Sequence, residues 1–286
     1  MIKRNLSLIM ALIIASVAIA VGCGRQSTFI QIKGSDTMVN LAQVWAEAYM
    51  QMHPEASIAV TGGGSGTGIV ALLNGTTDIA LSSRDITDKE IAQGKAKGIE
   101  PIENVVALDG IAVIVNPANK IGKLNVDQLS AIFTGRMVNW NEVGGADRRI
   151  VALSRDRSSG THVFFLEYIL RKGNAGGPEE YGKNVLMLPS SQAIAEEVMQ
   201  SPDAIGYIGL GYLSDKVKDI ALAADKSTVY IKPSAETIRS RAYLLSRSLL
   251  MYTNGAPQGT AKAFIDFVFS PKGQKIVEEQ GFVSVK

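Results

Sequence analysis

Residues Thr61–Val70 read TGGGSGTGIV. Five of the first eight are glycine and the other three carry hydroxyls. Such a stretch has little side chain to bury, and glycine loses more backbone freedom on ordering than any other residue. What it offers is bare backbone, with N–H groups that a bound oxygen can approach closely and hydroxyls that turn toward it. Its neighbours give it a place. ASIAV (56–60) ahead of it is a short strand, and IVALLNG (69–75) behind it is a short helix closed by Asn74-Gly75.

The unit recurs. FIQIK (29–33) is followed by GSDT and then by MVNLAQVWAEAYMQM (38–52). In that segment Met38, Leu41, Trp45, Ala48, Tyr49 and Met52 recur at helical spacing until His53-Pro54 stops the helix. RIVALS (149–154) is followed by RDRSSGT and then by the helix HVFFLEYILRKG (162–173). Strands that alternate with helices predict α/β layers.

In open α/β sheets ligands sit beyond the carboxyl ends of the strands. There the first turn of each following helix presents unpaired N–H groups and the positive end of its dipole. Three such loops aimed at one point make an anion pocket with little net charge. Each loop alone reads equally as a cap or turn, since Ser, Thr and Gly serve both. Three of them after three strands, one carrying Arg155, favour the anion site. The spacing of GGGSGTG fits neither a dinucleotide fingerprint nor a Walker loop.

The amino terminus is separate. Lys3 and Arg4 precede an apolar run from Leu8 to Val21, and Cys23 follows Gly22, the pattern of a secretory signal over residues 1–22. The run is short for a bilayer span. AVGC (20–23) resembles the lipobox of bacterial lipoproteins, which implies lipidation of Cys23, although the usual leucine three places earlier is Ala20 here. Residues 23–27 then form a tether. Cys23 is the only cysteine, so the mature chain has no internal disulfide and no thiol metal site. Without Lys3 and Arg4 the 29 basic residues fall to 27 and match the 27 acids. Global charge therefore predicts no nucleic-acid partner. The two histidines, His53 and His162, are far apart and give no metal site.

Seven segments, in order, resemble the phosphate-binding receptors of bacterial ABC transporters, in the type II periplasmic binding protein superfamily. They are KGSDTM, TGGGSGTG, GTTDIALSSRD, IFTGRMVNWNEVGG, RDRSSGTHVFF, AIGYIGLGYL and FIDFVFSPKGQKIV. The resemblance implies two α/β lobes joined by two crossing strands, at Gly110–Asn116 and Ser248–Thr253, and closing on phosphate. Lobe I would comprise residues 28–110 and 250–286, and lobe II residues 111–249. It also implies a monomer that presents phosphate to the permease subunits of a membrane transporter, without a cofactor. The phosphate ligands it implies are Ser35, Thr37 and the N–H of Met38 from the first loop and Ser65 from the second. Arg155, Ser159, Gly160 and Thr161 would come from the third. Ser83 stands where a relative has a carboxylate.

Phosphate near neutral pH keeps a proton and sulfate has none, so a buried acceptor separates the two; an unmatched buried polar contact costs about 1–3 kcal/mol. The candidate acceptors are Ser83, Asp36 and Asp85. Asp36 also reads as a helix-cap or first-turn acid, and Arg84 with Asp85 as a local ion pair. Arg155 has the planar fork that binds two phosphate oxygens; its plain alternative is a surface pair with Asp156, and Arg157 reads as solvated or paired with that same acid. His53 is expected at the surface, and His162 near the anion or in a structural role. Trp45 is expected on the buried stripe of its helix and Trp140 packed in a turn of lobe II, while SDKVKDIALAADKS (214–227) reads as a solvated loop and helix rim. An enzyme would need a nucleophile–base pair or metal cluster that the sequence lacks. Receptors for sulfate, molybdate or arsenate, and an anion-sensing lipoprotein uncoupled from transport, remain open alternatives.

Overall fold

The computed structural model describes residues 28–286. The expected signal (1–22), Cys23 and the tether (23–27) lie outside the described residues.

The first half of the chain is built from β1 (Thr28–Gly34), α1 (Asp36–Met52), β2 (Ala56–Thr61), α2 (Ser65–Leu73), β3 (Ile79–Ser82) and α3 (Asp88–Ala96). β1 pairs in parallel with β2 on one side and with β3 on the other. The long β4 (Pro101–Val115) follows, then β5 (Lys123–Asn125), α4 (Val126–Phe133), β6 (Val151–Arg155), α5 (Gly160–Phe165), β7 (Leu186–Leu188) and α6 (Ser191–Gln200). Next come β8 (Ala204–Gly209), β9 (Lys218–Asp219), β10 (Ala221–Ala223) and α7 (Ala235–Arg239). The chain ends with β11 (Ser246–Asn254), α8 (Gly259–Val268) and α9 (Pro271–Glu279).

Strand order β2-β1-β3-β11-β4-β8-β6-β7 makes one sheet path with two halves. β4 belongs to both. Its residues 101–110 run antiparallel to β11, and residues 111–115 run antiparallel to β8. β4 thus changes partners between Gly110 and Ile111. β11 lies wholly beside β3 and the first part of β4, and the boundary expected after residue 249 falls within that strand, at the register shift between Leu249 and Leu250. The Ile111 N–H donates to the Leu245 carbonyl at 3.0 Å just before β11 begins, tying the two connections together.

Each half has its own core. Met38, Leu41, Trp45 and Tyr49 of α1 pack with Phe264, Ile265, Phe267 and Val268 of α8 and with Ile276 and Val277 of α9. Ile111, Val113 and Val115 of β4 pack with Leu129, Phe133, Trp140, Phe165 and Tyr207. Both tryptophans are buried as expected, and each indole N–H finds a carbonyl: Trp45 that of Gly273 at 2.8 Å, Trp140 that of Asp203 at 3.0 Å.

The segment 214–227 is not a solvated rim throughout. It contains β9 and β10 and buries Val217, Ile220, Leu222 and Ala223; only its two ends, Ser214–Lys216 and Ala224–Ser227, are exposed. Lys218 and Asp219 themselves pair with β4, and the apolar Ala221–Ala223 pair with β5. Among the described residues no helix is long and apolar enough to cross a membrane.

Candidate functional site

The three Gly/Ser/Thr loops meet where the halves of the sheet face each other. Each helix begins inside the segment read as loop: α1 at Asp36, α2 at Ser65 and α5 at Gly160. Their first-turn N–H groups, which lack carbonyl partners within the helix, therefore belong to the site. The glycines of the opening stretch allow this. Gly64 has φ +94°, a conformation that side chains avoid, and a Cβ there would lie 2.5 Å from the Ser158 carbonyl oxygen on the opposite loop. The two loops are also bonded directly: the Gly66 N–H donates to the Ser158 carbonyl at 3.0 Å, and the Ser158 hydroxyl to the Gly63 carbonyl at 3.0 Å.

The residues singled out from sequence converge. Ser35, Thr37, Ser65, Ser83, Arg155, Ser159 and Thr161 are all buried, although polar. Thr37 Oγ1 lies 3.0 Å from Thr161 Oγ1 across the junction. Ser65 Oγ accepts from the Ser83 N–H at 3.0 Å and lies 3.3 Å from Ser83 Oγ. Gly160 sits against that serine pair. A Cβ on it would overlap Ser65 Oγ and come within 2.8 Å of Ser83 Oγ. Ser159 caps α5, its hydroxyl accepting from the His162 N–H at 3.4 Å. Met38 is the exception: its N–H donates to the Ser35 carbonyl at 3.1 Å, and its side chain belongs to the core.

Arg155 lies at the end of β6. It does not pair with Asp156. Its Nη1 meets Asp36 Oδ2 at 3.1 Å and Ser191 Oγ at 3.1 Å, and its Nη2 donates to the Pro189 carbonyl at 2.9 Å. Asp156 instead shapes the loop, its Oδ1 accepting from the Ser158 and Ser159 N–H groups and the Ser158 hydroxyl. Arg157 is exposed, as expected. Arg155 Nε and Ser35 Oγ are buried without any hydrogen-bond partner, and an unmet buried polar atom costs about 1–3 kcal/mol.

The three candidate acceptors separate. Asp85 is exposed, and its neighbour Arg84 pairs with Glu90 at 2.7 Å rather than with it. Asp36 is a first-turn residue of α1, but its carboxylate is engaged by Arg155 and by the Ser191 N–H at 3.2 Å. Ser83 alone of the three stands buried among the converging hydroxyls.

His162 has a structural place. Its Nδ1 lies 2.9 Å from the Arg155 carbonyl oxygen and 3.1 Å from Ser154 Oγ, and its ring stacks on Tyr181. Donation to that carbonyl puts the proton on Nδ1. Burial holds the imidazole below its usual range. His53 lies half exposed at the end of α1.

Sequence reasoning missed two charged residues beside the site, Asp109 on β4 and Arg247 on β11. Arg247 Nε and Nη2 both donate to Asp109 Oδ2, at 2.9 and 2.7 Å, and the pair is buried. Burial pushes the Asp109 carboxyl up against the pull of the guanidinium, and pushes Arg247 down against the pull of Asp109. The signal was legible, since a lone acid in VVALDGIAVIV and a lone base beside SLLMYT interrupt apolar strands. A charge in a buried strand requires a partner. Arg155 and Arg247 thus stand against Asp36 and Asp109, and the site carries donors without excess charge. Among the described residues no group of three His, Cys, Asp or Glu side chains comes together to hold a metal ion.

A profile of the PBP superfamily domain matches residues 21–272. The chain is 33% identical to the phosphate-binding protein PstS of Bacillus subtilis, over 99% of this chain and 95% of that one. This chain belongs to the PBP superfamily, in the family of the phosphate-binding proteins PstS. The PstS of Borreliella burgdorferi is likewise 33% identical, over 97% of this chain and 98% of its own length. The fold agrees. A putative phosphate ABC transporter substrate-binding protein from Clostridium perfringens, solved with bound phosphate, superposes with a TM-score of 0.80 at 31% identity. That match covers 91% of this chain and all of the other. An ABC-type phosphate transport receptor from Vibrio cholerae gives 0.71 at 32% identity, covering 89% and 99%. The two-lobed α/β architecture expected from the sequence is therefore the fold of this chain.

Proposed function

We propose that this chain is an extracytoplasmic lipoprotein receptor that binds inorganic phosphate between its two lobes and passes it, as a monomer, to the permease subunits of an ABC transporter. The observation that carries the reading is the pair of buried, unpartnered atoms, Arg155 Nε and Ser35 Oγ, in a cluster of converging hydroxyls and helix N-termini. An oxyanion supplies the acceptors these atoms lack. The family adds its weight, since its named members are phosphate-binding proteins.

In this reading Arg155 brings the positive charge, and its Nε and a guanidinium N–H address two phosphate oxygens. Ser35, Ser65 and Ser159 donate hydroxyls, as does one member of the bonded pair Thr37 and Thr161, and Gly160 gives its first-turn N–H. The Met38 N–H has to exchange the Ser35 carbonyl for a phosphate oxygen to join them. Ser83 Oγ receives the phosphate proton: it can donate to Ser65 Oγ and turn a lone pair to the ligand. Lobe I consists of residues 28–110 with the chain from β11 onward, and lobe II of the stretch between. Cys23 carries the lipid that holds the receptor at the membrane.

Calorimetric titration of the mature chain with phosphate, sulfate, arsenate and molybdate tests the reading. Phosphate is expected at micromolar or better affinity, about −8 kcal/mol, with sulfate weaker because it leaves the Ser83 acceptor facing an unprotonated oxygen. Tighter binding of sulfate or molybdate would replace phosphate as the ligand.

A further inference from the structure

Arg247 is buried beside the loops, and its role goes past its ion pair. Besides the two donations to Asp109, its Nη1 donates to the Ser83 carbonyl at 3.1 Å and to Thr161 Oγ1 at 3.0 Å, and its Nη2 to Thr37 Oγ1 at 3.3 Å. Arg247 belongs to the strand shared with β3 and β4, Thr37 to the first loop and Thr161 to the third. One guanidinium therefore touches the first loop, the third loop and the end of β3.

The proton count gives this contact a consequence. A threonine hydroxyl has one proton to give. Both Thr37 Oγ1 and Thr161 Oγ1 accept from Arg247, so both protons point away from the guanidinium. The two oxygens are 3.0 Å apart, and one proton serves the bond between them. The other has no use inside the pair. It is directed outward, to an acceptor that sits where the loops converge. Asp109 prevents the guanidinium from turning, since it holds two of its nitrogens and itself accepts from the Leu210 N–H at 2.9 Å.

Resting on the phosphate reading above, we infer that Arg247 is a positioning residue for the anion. It orders the Thr37 and Thr161 hydroxyls so that their free proton faces a phosphate oxygen, and it strengthens that bond with its own charge at one remove. Because Thr161 comes from the opposite lobe to Thr37, the ordering is complete only when the lobes meet, and the effect falls on release of the ligand rather than on its arrival. Packing alone does not require such a pair, because apolar residues of like volume usually hold a core at least as well as a buried ion pair.

The test uses the mature chain, phosphate as the probe, calorimetry for affinity and stopped-flow for the dissociation rate. Arg247→Lys keeps a cation for Asp109 and loses the fork. It is expected to weaken phosphate about 10- to 100-fold, mostly through faster release. In a background that carries both Thr37→Val and Thr161→Val the same substitution is expected to cost at most about threefold, since both hydroxyls it acts through are gone. The doubly neutral variant Asp109→Asn with Arg247→Met keeps the volume without a stranded charge, and carries the test if Arg247→Lys does not fold. It too is expected to lose about 10-fold or more in affinity while the ligand-free chain still melts cooperatively. Unchanged affinity in either variant overturns the inference, as does a full Arg247→Lys effect in the chain that lacks both threonine hydroxyls, the mark of a merely structural role. If the unaltered chain ignores phosphate, the phosphate reading has failed first, and the same titrations with the oxyanion it does bind decide on Arg247. Binding of none of the four oxyanions ends both.

Discussion

Arg155 and Arg247 are both buried and both face an aspartate, yet the two pairs are built differently. Arg247 spends every guanidinium nitrogen on the protein, and its partner Asp109 is fully buried. Arg155 keeps its Nε without a partner, and Asp36 retains 19% of its side-chain exposure. A cation whose hydrogen bonds are all made inside the chain can act on a ligand only through its neighbours. One with a donor left over can touch the ligand directly. The comparison therefore assigns the two charges different work, and substitution should separate them.

The largest expected effect falls on stability at the satisfied pair. Asp109→Ala strands Arg247 in the interior and is expected to destabilise the ligand-free chain by about 3–5 kcal/mol in urea unfolding. Asp36→Ala also leaves a buried guanidinium short of its partner, but its carboxylate is partly solvated and Arg155 keeps Ser191 and the Pro189 carbonyl, so it should cost less than Asp109→Ala. A reversed order would break the comparison. Next comes affinity at the other pair. Arg155→Ala removes charge-assisted bonds to the ligand worth about 1.5–3 kcal/mol each, so phosphate binding should fall at least about 100-fold by calorimetry. Phosphate affinity equal to that of the unaltered chain would take Arg155 out of the site.

What the sequence made legible follows the same division. Arg155 stands in a loop of Ser and Gly directly after a strand, and the local pattern alone marks it. Each of Asp109 and Arg247 is marked locally as a charge in an apolar strand, but their pairing joins positions 138 residues apart and needed the fold. Asp36 was read as a first-turn acid, which it is; that it also reaches Arg155 from another loop needed the fold. The loops were read a few residues too long because Ser, Thr and Gly weaken a helix signal, although Ser65–Gly68 and Gly160–Thr161 are helical. In 214–227 the error ran the other way. Charge density on the solvent side masked Ile220 and Leu222, whose burial depends on strands distant in sequence.

A smaller effect sharpens the contrast by leaving both arginines in place. Gly160→Ala puts a methyl group against Ser65 Oγ and Ser83 Oγ, so it wedges the third loop away from the other two. Overpacking of this kind costs about 1–3 kcal/mol, here charged to closure. Phosphate should weaken about 10- to 100-fold while the melting of the ligand-free chain stays close to that of the parent. Equal losses in both would mean that the glycine serves folding instead.

The smallest effect is set by pH, and it reaches only one of the two arginines. His162 holds the Arg155 carbonyl through Nδ1, and burial depresses its pKa below the usual value of about 6.5. Between the depressed folded value and about 6.5, the unfolded chain binds the proton more readily than the folded one, so stability rises with pH there. The contribution is fully present above about 6.5 and is lost as the pH falls through that window. Asp109, pushed up by burial, acts in the opposite sense, so the comparison has to be made between variants. Urea unfolding of the ligand-free chain from pH 8 to 5 should show a decline that His162→Gln removes. If the decline survives the substitution, its source is another group, and the support that His162 gives to Arg155 does not titrate in this range.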